Sequence, residues 1–425
     1  RQRQMCIRDR GEIMNKIIEK SVLILGIGGV SMHQLALAYK KMGWRVYGYD
    51  RKRNEYVDIC VSNGIEFTSV FNKKFLSVNL AIKTGAIKDD NKYIVALKNK
   101  GIEILDRAQV LGKLCKNFKC VIAVAGTHGK STTASLIYEI LRTSNKKVSS
   151  HIGADVFAPR FEVNDDYLVV EACEYNKSFL ALQPTISVVT NIEAEHMDSY
   201  KSLFNLKSAF LTFLKRAKTR FVFLDKSTNF LKRHKNINFV TLNNKFKTRL
   251  KGVYNQKNIA LAYAVCKHLG VDEKKMLNAI SNFNGIPRRY ELIGQAKNTK
   301  IYIDYAHHPT EIQSFISAFN KEFKNNLIVF QPHTYSRTKT FLKEFVEVLS
   351  GLKNLCIFKE YPAREKKSVG MSAHELYLEI KKVNSSVKYV ATSKKLNKML
   401  SSFDAVAFVG AGDICEIAKK IIKSY

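Results

Sequence analysis

Acidic residues are scarce in this chain: 37 Asp and Glu stand against 70 Lys and Arg, a formal charge of +33. Such an excess suits nucleic acid or an anionic surface. The lysines, however, are spread along the chain, as at Lys394–Lys398. An arginine-rich arm and zinc-finger, homeodomain and RNA-recognition signatures are all missing, so no nucleic-acid partner is expected. Attraction of a polyanionic small substrate is the use this charge invites. Paired cysteines are missing too. Cys6, Cys60, Cys115, Cys120, Cys173, Cys266, Cys356 and Cys415 include no Cys-x-x-Cys and no Cys/His spacing suited to zinc. Scattered single thiols predict a reduced, cytoplasmic protein that buries most of them. No apolar run reaches membrane-spanning length, so membrane insertion is not expected. The opening RQRQMCIRDR has charge but no apolar core, which excludes a secretory signal and reads as a leader, residues 1–13, outside the fold. Fixed-period repeats and low-complexity segments are also absent.

What is present is an ordinary globular composition, 46% hydrophobic and 25% charged, over 425 residues, enough for two or three domains. The most informative stretch is Val121–Ser135, VIAVAGTHGKSTTAS. The general phosphate-loop pattern fails, because Val124 stands where its first glycine belongs. A shorter loop survives, Gly126-x-x-Gly129-Lys130-Ser131, in a strand–loop–helix context. Two glycines allow close backbone approach, helix N-terminal amides face an anion, Lys130 adds a point charge and Ser131 can ligate Mg²⁺. This predicts a nucleotide site.

Three units follow along the chain. From Ser21 to Asp50 the pattern is strand, Gly-rich turn, amphipathic helix and strand, a Rossmann-like half; further short strands at 80–87 and 102–106 complete a domain over 14–117. Its turn, Gly26-Ile27-Gly28-Gly29-Val30-Ser31, departs from G-x-G-x-x-G at Ser31. Alone it says only that phosphate or pyrophosphate lies near, and a nicotinamide dehydrogenase fits it as well. The second unit, 118–284, is a P-loop ATPase-like parallel sheet in which strands Tyr167–Val170 and Ile186–Thr190 lead directly to Glu171 and to Asn191, Glu193, Glu195, His196 and Asp198. Acidic and His side chains at such strand ends sit where open α/β sheets bind ligands, and a triphosphate needs Mg²⁺ with oxygen ligands. The third, 285–425, is again Rossmann-like, with strands in 301–312, 327–341, 355–365 and 405–414 that each end in polar, Gly or Pro residues. The fold class is therefore α/β with three domains.

The ordered set GTHGKSTT, EACEYNKSFL, TNIEAEHMDSY, RRYE, DYAHHPTEI and PHTYSRT resembles the Mur ligase family over about Ser21–Ile414. The resemblance implies a UDP-substrate domain, an ATP-binding domain and a C-terminal domain receiving an amino acid. It implies that ATP phosphorylates the carboxylate of UDP-N-acetylmuramate and that the amine of L-alanine displaces the phosphate. Matched by motif, Gly126, Thr127, His128, Gly129, Lys130, Ser131, Thr132, Asn255, Asn258, Arg289 and Asp304 would bind ATP. Ser131, Glu171 and His196 would hold Mg²⁺, and Lys130, Glu171, His196, Arg289 and Asp304 would carry catalysis. Gly26, Gly28, Gly29, Ser31, Asp50 and Thr84 would bind the UDP-sugar, and Tyr305, His307 and Arg337 the amino acid. Four departures stand out. Cys173 and Asn176 occupy positions where the family usually has Asp, Glu195 replaces an Asp, and Thr334 replaces an Arg, which leaves Arg337 to hold the amino-acid carboxylate. The interval from Phe239 to Val253 is short, so a strand pair usual there is expected to be missing.

Overall fold

A computed structural model describes residues 20–154, 161–363 and 365–424. The expected leader, 1–13, lies outside them, as does Cys6. The first sheet has strands β1 (Ser21–Leu25), β2 (Arg45–Tyr49), β3 (Glu66–Thr68), β4 (Leu80–Lys83) and β5 (Glu103–Asp106), all parallel in the order β3-β2-β1-β4-β5. The chain reverses direction across the sheet between β1 and β4, and the crevice at such a reversal is where doubly wound sheets take ligands. The second sheet comprises β6 (Cys120–Ala125), β7 (Val148–His151), β8 (Tyr167–Glu171), β9 (Ile186–Val189), β10 (Thr219–Phe223) and β11 (Asn238–Val240), again parallel, ordered β11-β10-β9-β6-β8-β7. The loop after β6 is thus flanked by the ends of β8 and β9.

The third sheet holds β12 (Glu291–Ala296), β13 (Thr299–Asp304), β14 (Asn326–Phe330), β15 (Leu355–Phe358), β16 (Lys388–Val390) and β17 (Ala405–Val409), in the order β12-β13-β17-β14-β15-β16. Only β12 runs antiparallel, pairing with β13 across a short turn. The expected α/β architecture of three parallel-sheet domains is what the chain adopts. Central strands such as CVIAVA and AVAFV are apolar on both faces because helices cover both faces of a parallel sheet. No strand lies between β11 and the helix Val253–His268 among the described residues, as the short interval predicts.

The chain divides into two compact units. One takes in the first two sheets, residues up to 241, with 261–276; the other takes in 242–260 and 277 onward. In the first, one hydrophobic core runs from Val22, Leu35 and Leu114 to Val121, Leu168 and Phe213, and a second, around Tyr47, Phe75 and Ile94, covers the other face of the first sheet. In the second, separate cores cover the two faces of the third sheet, one around Phe319 and Phe345, the other around Phe408 and Ile414. Every described cysteine is free; five are buried, and Cys120 and Cys173 are half-buried. No described helix is long and apolar enough to cross a membrane.

Candidate active site

The apolar strand β6 delivers Gly126–Ser131 at its end. Gly126 takes φ +140° and Gly129 φ +81°, and Gly129 starts the helix Lys130–Thr143 without a side-chain cap. The first-turn amides are therefore available to an anion. The end of β9 holds the loop in shape. Thr190 Oγ1 donates to the His128 carbonyl at 2.5 Å, and the Asn191 side chain accepts from His128 N at 2.9 Å and donates to its carbonyl at 3.0 Å. Thr127 N donates to Asn191 O at 3.1 Å, and Thr127 Oγ1 accepts from Glu193 N at 2.8 Å. His128 Nε2 lies 3.4 Å from the Glu193 carboxylate. Thr132 is buried in the helix's first turn.

The Lys130 ammonium folds back over this loop, bonding Gly126 O at 2.6 Å, Thr127 O at 2.9 Å and the Glu174 carboxylate at 3.1 Å. All three of its donors are engaged. Burial works to lower its pKa, but Glu174, helped by Cys173, Glu195 and Glu171, outweighs that and holds it above the usual lysine range. Ser131 Oγ donates to Glu171 Oε2 at 2.9 Å, which also accepts from Gly153 N at 2.8 Å. Glu174, Glu195 and His196 bring ligand atoms within 4.8 Å of one another, His196 Nε2 lying 3.7 Å from Glu174. Ser131 with Glu171, and this neighbouring trio, form an oxygen-rich donor set with one imidazole, which suits Mg²⁺ or Mn²⁺. Glu171 itself is not one of the trio.

Glu174 is the residue that motif reading passed over. Its carbonyl accepts from Lys177 N at 2.9 Å and from the Tyr200 hydroxyl, and Asn176 and Lys177 after it are both in left-handed backbone (φ +49° and +57°), which turns the EACEYN loop. Asn176, read as a lost charge, thus has a backbone use that suits Asn. Burial and Glu174 raise the Cys173 thiol's pKa against the opposing pull of Lys130.

In the first sheet, Gly26 (φ +85°) passes so close to Thr84 that a Cβ would lie 2.7 Å from its methyl group. Gly28 N donates to Asp50 Oδ2 at 3.0 Å, and Asn54 Nδ2 donates to Gly28 O at 2.9 Å. Gly29 opens the helix Val30–Lys41 with no side-chain cap. Ser31 Oγ lies 2.7 Å from His151 Nε2 and accepts from Arg107 Nη1 at 3.2 Å. The predicted turn residues, Asp50 and Thr84 therefore meet at one sheet edge. Asn54, Arg107 and His151 join them unforeseen, the last across 120 residues of sequence.

In the second unit, Asn255 donates to Lys251 O at 2.7 Å and accepts from Asn258 Nδ2 at 3.3 Å, as their shared helix face predicts. Both are buried. Asp304, at the end of β13, accepts from Tyr290 N and Ala306 N, each at 2.7 Å. Arg289 Nη1 lies 3.4 Å from Glu311, and the guanidiniums of Arg288 and Arg289 lie over the Tyr305 ring at 4.6 and 5.3 Å. His307 Nδ1 is 3.0 Å from Tyr305 O and 3.4 Å from Glu311. Arg337 Nη1 lies 3.1 Å from His333 Nδ1, and His333 is pushed down to about 4 by burial, with His307, Arg337 and Arg288 adding to it. A neutral His333 can accept from Arg337.

Thr334, which stands where the resemblance implies an Arg, has a local use. Its hydroxyl accepts from Arg337 N at 3.4 Å as the N-cap of the helix Tyr335–Thr340, and its φ is +66°. It is a local structural residue, and Arg337 is the cation at this point.

Burial pushes Asp304 up to about 6, Glu311 adding to it while Arg289 and the two amides pull it down. Between about pH 4 and 6 the folded state then holds a proton that the unfolded chain has lost. Its contribution to stability is complete below the ordinary carboxylate value and is lost as pH rises through 6, by about 3 kcal/mol in all. Asp304→Asn is expected to gain on the parent by about that amount between pH 4 and 7.5, read from denaturant midpoints; parallel profiles would show an unperturbed carboxyl.

Family models match three segments: "Mur ligase family, catalytic domain" over residues 21–119, "Mur ligase middle domain" over 124–243 and "Mur ligase, glutamate ligase domain" over 288–412. A UDP-N-acetylmuramate–L-alanine ligase of Caldicellulosiruptor bescii is 33% identical, the alignment covering 94% of this chain and 97% of the relative. One of the same name from Clostridium perfringens is 30% identical over 96% and 99%. Among solved structures, the UDP-N-acetylmuramate–alanine ligase of Thermotoga maritima superposes with a TM-score of 0.80 at 24% identity, covering 96% of this chain and 99% of that one. A murein peptide ligase of Psychrobacter arcticus gives 0.68 at 19%, covering 95% and 98%. With its three sheets, its phosphate loop and relatives matched almost end to end, the chain belongs to the Mur ligase family.

Proposed function

We propose that this chain is an ATP-dependent ligase joining L-alanine to the carboxylate of UDP-N-acetylmuramate, a cytoplasmic step in making peptidoglycan precursors. The observation that carries the reading is the 33% identity over 94% of the chain to a relative of that name. The chemistry the site offers agrees with it. A carboxylate is a poor acyl donor because its leaving group would be oxide. Transfer of the γ-phosphoryl group from ATP to a carboxylate oxygen, releasing ADP, gives an acyl phosphate. The amine then attacks the carbonyl carbon, the C–N bond forms, the amine loses its proton and phosphate departs.

Here positioning and charge neutralisation are the main contributions of a protein. In this reading the loop Gly126–Thr132 takes the phosphates through the uncapped first turn of its helix, and Lys130 exchanges a bond to Gly126 O, Thr127 O or Glu174 for a phosphate oxygen. Ser131, Glu171 and His196, with Glu174 and Glu195 beside them, fit Mg²⁺, which when bound neutralises phosphate charge. Asn255, Asn258, Arg289 and Asp304 match the family's further nucleotide residues. Gly26, Gly28, Gly29, Ser31, Asp50 and Thr84 take the UDP-sugar, and Tyr305, His307 and Arg337 the amino acid. In this reading 14–117, 118–284 and 285–425 are the UDP-sugar, ATP and amino-acid domains. The deciding measurement is ADP release with UDP-N-acetylmuramate and L-alanine, glycine, L-serine or a murein peptide supplied separately. L-alanine is expected to give the highest kcat/KM. Preference for the peptide would replace this reading with a murein peptide ligase, and no amine-dependent ADP release would refute both.

A further inference from the structure

His151 stands outside the set just described, yet it is built into it. It ends β7, is 7% exposed, and its Nε2 meets Ser31 Oγ at 2.7 Å. A second bond lies alongside: Gln34 Nε2, from the same helix as Ser31, donates to Ile152 O at 2.8 Å. The end of β7 is thus tied twice to the first turns of that helix. A buried histidine needing only a partner could take any carbonyl. This one takes the hydroxyl that also receives Arg107.

Arginine can only donate, so Ser31 Oγ accepts from Arg107 and has its own proton for His151 Nε2. Burial, then Arg107 and His33, press His151 down to about 3, so its imidazole is neutral and can accept that proton. Arg107 itself begins the helix Arg107–Cys115 and is half-buried, and among the described residues no carboxylate pairs with it. Its charge is felt at Cys173, beside Lys130. Half-buried and without an acidic partner, next to a Gly-rich turn and an uncapped helix start, this cation is arranged for an anionic ligand.

We propose that His151 is a positioning residue: through the Ser31 hydroxyl it fixes the Arg107 guanidinium at the Gly-rich turn, where Arg107 takes the diphosphate of the UDP-sugar. This rests on the function proposed above for the first-sheet turn. Arg107 donates bidentately to phosphate oxygens, while the Ser31–His151 pair keeps the guanidinium from swinging into solvent.

The test uses the full chain and UDP itself as probe, with uridine as the control lacking phosphate. His151→Phe keeps a ring of similar bulk but removes the acceptor. It is expected to weaken UDP binding about tenfold, in line with losing support for a charged hydrogen bond, and to leave uridine unaffected. In turnover the KM for UDP-N-acetylmuramate rises by a similar factor while kcat and the KM for ATP hold. Ser31→Ala gives the same loss, and the double variant no more than either single one, because both break one chain of bonds. His151→Gln, which keeps an acceptor, recovers most of the affinity and serves if the Phe variant does not fold. Unchanged UDP affinity in His151→Phe, equal losses for UDP and uridine, or additive losses in the double variant would each overturn the proposal. A parent that releases ADP and binds UDP while its His151→Phe variant matches it refutes this inference alone. A parent that binds no UDP refutes the function on which it rests.

Discussion

Replacing Lys130 by Ala is expected to lower ligation about a thousandfold while UDP binding persists, since a preorganised charge aimed at transferring phosphate is worth that order. The same substitution carries a second effect. The Glu174 side chain is 3% exposed and Lys130 is its ion-pair partner. Removing one member of a buried pair leaves an uncompensated charge, a loss of about 3–5 kcal/mol. Lys130→Ala alone therefore mixes catalysis with folding. Adding Glu174→Gln separates them: the double variant should recover most of the stability in a denaturant titration and none of the turnover. Near-parental turnover in either variant would remove Lys130 from the chemistry.

Gly126→Ala is expected to be nearly as damaging, by a different route. At φ +140° an alanine is already strained, and its Cβ would lie 1.9 Å from Thr190 Oγ1 and 3.1 Å from Thr190 Cβ. Thr190 cannot swing away without losing its bond to the His128 carbonyl. Backbone strain and overlap together should exceed about 3 kcal/mol. In circular dichroism melts and nucleotide titrations, the variant should fold poorly and bind ATP weakly. Pairing it with Thr190→Ala, which removes the nearer obstacle, should return part of the stability. A stable Gly126→Ala protein with intact ATP binding would mean that the loop is far more pliant than its bonds imply.

Much of this was legible in the sequence, because in parallel sheets function gathers at strand ends and strand ends can be read. VIAVA before GTHGKS, VV before Glu171 and IYI before Asp304 each announce an apolar strand releasing polar residues, and each does so at the end of a strand of its own sheet. Side-chain partners were harder. Glu174 is the second of two glutamates in its loop, and nothing in the local pattern says that it, and not Glu171, pairs with Lys130. His151 meets Ser31 across two sheets, a contact that local pattern does not encode. Thr334 carries a use that its position in the motif did not announce: its hydroxyl caps a helix, at a positive φ that Thr seldom adopts.

Three segments match the family, and a boundary near residue 118 looks like a natural place to divide the chain. The continuous core of the first unit argues otherwise. Phe118 meets Phe161 edge to face at 5.5 Å, and Leu111, Leu114 and Cys115 share one cluster with Val121, Leu168 and Phe179. A fragment beginning at β6 would uncover the apolar side chains that meet Phe118 and the helix Arg107–Cys115, and a fragment ending there would uncover their partners. For dissection, for fusion partners and for the order in which a growing chain can bury its surface, the first two sheets form a single part, complete only when both have been made.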